Sequence, residues 1–200
     1  MNLKTFSPEK DDTSIILAEC VKTLENHGVI LLPTETVYGL VCRLEDKIAE
    51  EKIYQLKHRP QDKRLSVFVD DVSKLADFDV KLTPLAEELA ETYCPGAITI
   101  ISARGSDSSL GFRIPDHAFV LELLKKVDFP LSSTSANRSG MPNVLEVSEA
   151  LNELDGEVDI VIDGGRISPD SLASTVVDAR NEKAVILRQG ALIINDKFLS

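Results

Sequence analysis

The chain has 200 residues, of which 43% are hydrophobic and 28% charged, a balance that fits one globular domain with a sizeable core and excludes a disordered or fibrous chain. No apolar run reaches the roughly 18 to 20 residues of a membrane helix, and residues 1–12 mix acids and bases without a signal peptide's apolar centre, so a cytoplasmic protein without membrane contact is expected. A net charge of −11, from 33 acids and 22 bases, repels a phosphate backbone and disfavours broad nucleic-acid affinity.

In chain order, Thr13 is placed to cap a helix in which Ile15, Ile16, Cys20, Val21 and Leu24 recur at helical spacing, with Gly28 as its stop. Residues 29–32 form a short apolar run ending at Pro33, as in a buried strand, and residues 46–57 return to helical spacing through Ile48, Ile53 and Leu56. This places the segment PTETVYGL, residues 33–40, between a strand and a helix. Residues 65–69 predict another strand, and Thr83-Pro84 is a cap and first-turn pair for a helix that stops near Cys94-Pro95-Gly96. Residues 97–103 and 110–114 are β-rich and able to pair, 117–126 have helical spacing, and 130–133 predict a strand that enters a polar loop. Strands at 158–162, 175–177 and 184–187 follow, with turns at Gly164-Gly165 and Asn181-Glu182. Such alternation predicts an α/β fold on a mixed, twisted sheet with flanking helices rather than a strictly parallel, doubly wound one.

Neither G-x-x-x-x-G-K-[ST] nor G-x-G-x-x-G after a strand occurs, so any phosphate must be held by side-chain cations and hydroxyls. The window KHRPQDKR sets Lys57, Arg59, Lys63 and Arg64 against Asp62 alone, at a helix end closed by Pro60. Lys57, Arg59 and Lys63 read equally as a triphosphate clamp or as solvated cations at a helix C-terminus. In PTETVYGL the spacing favours an ordinary turn in which Thr34 and Thr36 satisfy local backbone groups, with a substrate-holding loop as the alternative. Residues 132–140, SSTSANRSG, crowd hydroxyls and amides directly after Phe129-Pro130-Leu131, as a ligand-facing strand end would. Asp116-His117 upstream of Ser135 is set aside as a hydrolase signal because G-x-S-x-G is absent. His117, after Pro115-Asp116, reads as a capping or surface residue. It, His27 and His58 lack metal-ligand spacing, and Cys20, Cys42 and Cys94 lack any C-x-x-C, so free thiols and no metal ligands on the protein are expected.

Taken in order, PTETVYGL, the KxRPxxK of residues 57–63, CPGAIT at 94–99, FRIPDH at 112–117 and STSANRSG at 133–140 resemble the segments of the YrdC-like threonylcarbamoyl-adenylate synthases. VDIVIDGG at 158–165, STVVD at 174–178 and ILRQGA at 186–191 extend the likeness, which runs from about residue 29 to 191. It is similar to the short bacterial type, a single domain over residues 1–200 with nothing left for the additional C-terminal domain of longer members. The resemblance implies a concave ligand cleft and a reaction that joins L-threonine, bicarbonate and ATP into threonylcarbamoyl-adenylate with release of pyrophosphate. A separate transferase complex would then modify tRNA next to the anticodon, and Mg²⁺ would arrive with ATP.

Carried over by position, Lys57 and Arg59 would be catalytic, and Lys57, Arg59, Lys63, Ser135, Asn137 and Arg188 would bind ATP. Thr34, Arg113 and Ser174 would bind L-threonine. No general base is implied. The chain departs from the pattern at Arg64, where proline or glycine is frequent, at Phe68, where some relatives have histidine, and at Asn143-Val144-Leu145. Two other readings stay open: a non-catalytic RNA-binding module and a degenerate paralogue. Net charge −11 and ten Phe plus Tyr without Trp weigh against the first while leaving room for a weak tRNA contact. The retained Ser135 and Asn137 weigh against the second.

Overall fold

The computed structural model of the chain describes residues 3–200. Helix α1 (Thr13–Glu25) is capped by Asp12 rather than Thr13, its carboxylate accepting the Ser14 amide at 2.8 Å. The left-handed residue behind it is His27, at φ 60°, rather than Gly28. Helix α2 (Lys47–Leu56) begins at Asp46, whose Oδ1 accepts the amides of Ile48 and Ala49. It ends in a Schellman turn: the His58 amide donates to the Gln55 carbonyl and the Arg59 amide to the Tyr54 carbonyl, with His58 at φ 46°. Helix α3 (Pro84–Tyr93) has the expected Thr83 cap and Pro84 first turn. Helix α4 (Ala118–Lys126) and a shorter α5 (Val147–Glu153) follow.

The strands are β1 (Lys4–Phe6), β2 (Ile30–Leu32), β3 (Gly39–Arg43), β4 (Ser66–Phe68), β5 (Val80–Lys81), β6 (Ile98–Arg104), β7 (Ser108–Arg113), β8 (Leu131–Ser135), β9 (Ile160–Ile162), β10 (Thr175–Asp178) and β11 (Val185–Arg188). They form one sheet in the order β1-β9-β2-β3-β8-β4-β7-β6-β10-β11, with β5 on β6. The pairs β1–β9, β2–β9, β4–β7 and β6–β10 are parallel and the remaining pairs antiparallel, so the sheet is mixed as expected. A further sequence expectation is corrected. PTETVYGL does not pass from a strand to a helix, because its last two residues already open β3, with Gly39 opposite Leu32. Residues 39–42 are buried, so the strand reads as a short apolar run without alternation and hides behind the motif.

Period-two alternation sorts the core onto two faces. In β2, Ile30 and Leu32 point to the side where α1 and α4 bring Ile16, Leu24, Val120 and Leu124. Leu31 points to the other side, against Ala49 and Ile53 of α2 and Ala150 of α5. Further along that second side, α3 packs Ala86, Leu89 and Ala90 on Ile98, Ile100 and Phe112. Helices α1 and α4 therefore cover only part of the first face. Beyond Phe68, which closes their cluster, that face is left open for a site. No helix among the described residues is long and apolar enough to cross a membrane.

Candidate active site

A cavity of about 340 Å³ occupies the open part of the sheet. Its floor follows the pleat: Ser66 and Phe68 from β4, Thr99 and Ile101 from β6, Ser109, Gly111 and Arg113 from β7, and Ser133 and Ser135 from β8 lie at alternate positions of their strands. The intervening residues Val67, Ile98, Ile100 and Phe112 are core. The same strands thus build the core with one side and the site with the other. Small residues keep the floor low, since a Cβ on Gly111 would stand 3.2 Å from Thr99 Cγ2 and one on Gly39 3.1 Å from the Thr134 carbonyl.

Four arginines, Arg59, Arg64, Arg113 and Arg188, line this cavity, and no carboxylate does. In a chain of net charge −11, that makes an anion site of one sign. No ion pair among the described residues involves Arg59, Arg64 or Arg188. Arg113 is buried and fully oriented: Nε donates to the Gly96 carbonyl at 3.1 Å, Nη1 to Thr36 Oγ1 at 3.0 Å and Nη2 to Glu35 Oε1 at 2.5 Å. The other Glu35 oxygen is buried without a partner. Arg188 donates to the Ser174 carbonyl at 2.8 Å and its hydroxyl at 3.2 Å, and Ser174 Oγ lies 2.8 Å from Thr99 Oγ1. Burial, and then the neighbouring Arg113, lowers the proton affinity of Arg188. An anion between the two guanidiniums would relieve both effects.

Thr34 does what the turn reading expects, its Oγ1 accepting the amides of Thr36 and Val37 and donating to the Val37 carbonyl at 2.7 Å. It also lines the cavity, so the two readings are compatible. Arg59 lines the cavity while one edge of its guanidinium donates to the carbonyls of Lys63 and Arg64 at 2.9 and 2.8 Å.

Lys57 differs from its expected place. It is 1% exposed, lies outside the cavity lining, and donates to the carbonyls of Ser135 and Asn137 beneath the polar loop. Burial, helped by Arg59, pulls its pKa down to about 7. Asn137 is also buried under the loop, its Nδ2 donating to the Arg138 and Met141 carbonyls while Oδ1 has no partner. His117 occupies the cap position of α4 but makes no capping bond, and its Nδ1 is buried without a partner.

A family model described as telomere recombination, for Sua5, YciO and YrdC, matches residues 22–190. The chain belongs to the Sua5/YciO/YrdC family. It is 32% identical over 186 residues to the threonylcarbamoyl-AMP synthase of Bacillus subtilis, an alignment covering 88% of this chain and 54% of that protein. With the threonylcarbamoyl-AMP synthase of Vibrio vulnificus it shares 34% over 186 residues, covering 87% of this chain and 98% of that one. In structure it matches P. abyssi Sua5 complexed with L-threonine at a TM-score of 0.82 and 26% identity, over 95% of this chain and 58% of that protein. The chain thus spans just over half the length of the Bacillus and P. abyssi proteins.

Of the residues carried over from the Sua5/YciO/YrdC motifs, Thr34, Arg59, Arg113, Ser135, Ser174 and Arg188 line one cavity. Lys57 and Asn137 lie beneath the loop that forms its wall, and Lys63 is exposed outside it. Arg188 stands with Ser174 and Arg113 rather than beside Arg59. Sequence reasoning missed Thr99 and Arg64 as lining residues, and it favoured a plain turn for Thr36, which also lines the cavity. Thr99 closes the CPGAIT motif with no other polar side chain in the run Ala97 to Ile101. Arg64 breaks the motif, and no periodic signal marks it.

Proposed function

We propose that this family member is an L-threonylcarbamoyladenylate synthase, condensing L-threonine with bicarbonate and transferring the resulting carbamate to the AMP part of ATP with release of pyrophosphate. The observation that carries the reading is the acid-free cavity with four arginines over a floor of serine and threonine hydroxyls. Its cations suit polyphosphate and carboxylate together, and its hydroxyls suit the remaining polar edges. Arg113, fixed by three acceptors, takes the threonine carboxylate, with Thr34 and Ser174 at its sides. Arg59 and Ser135 face the phosphates. Asn137, with its unpartnered oxygen, and Lys57 shape the loop that carries Ser135.

The reaction places a weak carbamate nucleophile on the α-phosphorus, so alignment and charge neutralisation supply most of the acceleration. Guanidiniums and hydroxyls held on strands and backbone carbonyls provide both. Among the described residues no group of three or more His, Cys, Asp or Glu is placed to hold a metal. Mg²⁺ would enter as part of the nucleotide, held by phosphates and water. The product would pass to a separate transferase complex acting on tRNA beside the anticodon, in the cytoplasm.

The test is pyrophosphate release by the purified protein with ATP, Mg²⁺ and bicarbonate, with and without L-threonine. Threonine-dependent release, with threonylcarbamoyl-adenylate identified by mass spectrometry, is expected. Folded protein that binds nucleotide and never releases pyrophosphate would overturn the reading.

A further inference from the structure

Two of the cavity's unpaired arginines, Arg59 and Arg64, sit on one segment between α2 and β4, and they are coupled. Arg59 donates to the carbonyls of Lys63 and Arg64, pinning the backbone that carries the second guanidinium. Arg64 in turn donates from Nη1 to the Ser109 carbonyl at 2.8 Å, which ties the segment to the start of β7. Both guanidiniums are thus anchored through backbone carbonyls, and neither meets a carboxylate among the described residues. Arg113 stands at the other end of β7. It lies four positions on from Ser109, roughly 13 Å of strand. The cavity therefore has two cationic poles, Arg59 with Arg64 at one and Arg113 with Arg188 at the other.

We propose that Arg64 is a phosphate-binding residue of the reaction, holding the β- and γ-phosphates of ATP and the pyrophosphate they become. The inference rests on the synthase reading. As the carbamate oxygen bonds to the α-phosphorus, the bond from that phosphorus to the α,β-bridging oxygen breaks and its electron pair leaves on pyrophosphate. Charge grows at the pole farthest from the threonine carboxylate. Two pre-anchored guanidiniums there meet it without reorganising, and a forked donor suits phosphate better than a point charge.

A purely structural Arg64 would only pin the loop to β7, and its loss would loosen the whole cavity and weaken AMP and pyrophosphate together, whereas loss of a phosphate-binding cation in Arg64→Gln falls on pyrophosphate alone. Inorganic pyrophosphate and AMP are titrated calorimetrically into wild type, Arg64→Gln and Arg64→Ala. Both variants are expected to bind pyrophosphate about tenfold or more weakly and AMP as wild type does, with the KM for ATP raised and that for threonine unchanged. Wild-type pyrophosphate affinity in Arg64→Gln, or a parallel loss for AMP, would overturn the assignment. Threonine-dependent turnover of the wild type is scored separately. Arg64-dependent pyrophosphate binding in a protein without turnover would keep the phosphate site and sink the synthase.

Discussion

Lys57 is a buried amine whose acceptors are backbone carbonyls rather than a carboxylate. Replacing it with alanine strands two carbonyls and opens a cavity beside the core. Lys57→Ala should therefore lower stability by about 2–4 kcal/mol in urea denaturation as well as activity. The sequence had left a triphosphate clamp and solvated cations at a helix end equally open, and burial of Lys57 fits neither in its simple form. A second consequence concerns pH. The folded-state value of about 7 lies below the ordinary 10.5, so between them the unfolded chain holds a proton that the native chain has released. Stability then rises with pH across that window, by up to about 1.4 kcal/mol per pH unit, and the contribution is absent below pH 7. Lys57→Met removes the group. The stability of wild type relative to Lys57→Met should grow from pH 7 to pH 9; a flat difference would mean that the ammonium stays charged in the fold.

At the scale of elements, the end of α2 and the pleat of β7 decide where the chemistry sits. His58 closes α2 in the left-handed region and its ring lies 2.8 Å from Asp155 Oδ2, an exposed contact of small worth. Glycine takes that conformation freely and a β-branched residue resists it. His58→Gly should leave Tm and turnover nearly unchanged. His58→Val should lower stability by about 1–3 kcal/mol and also raise the KM for ATP, because Arg59 is the next residue of the turn. In β7, Gly111 faces the cavity between Ser109 and Arg113. Gly111→Val fills that floor, where a Cβ alone already reaches Thr99 at 3.2 Å. Threonine and nucleotide binding should both fall by more than tenfold, while the far-ultraviolet circular dichroism stays native.

The whole molecule is strongly acidic, and four of its arginines line one cavity. That contrast attracts an anion only at short range, so the KM for ATP should rise steeply between about 0.05 and 0.3 M salt as the Debye length shrinks. The KM for zwitterionic threonine should change little. Equal salt effects on both substrates would argue against a focused anion site. Much of this organisation was written locally. The apolar runs at residues 29–32, 65–69 and 158–162 announced their strands, Thr83-Pro84 announced its helix, and the polar motifs lay at strand ends because residues there escape the core. Strand β3 was hidden, since a strand buried on both faces has no alternation to read. The sequence by itself determined the element types, the mixed α/β class and most of the polar residues that face the site, because those depend on periodicity and on motifs a few residues long. Only the tertiary structure decided that β8, β4, β7, β6 and β10 lie side by side, that one face of them is left uncovered, that Lys57 turns under the loop and Arg64 into the cavity. Those outcomes depend on pairings between residues far apart in sequence, and on which side of the sheet each helix covers, neither of which leaves a local trace.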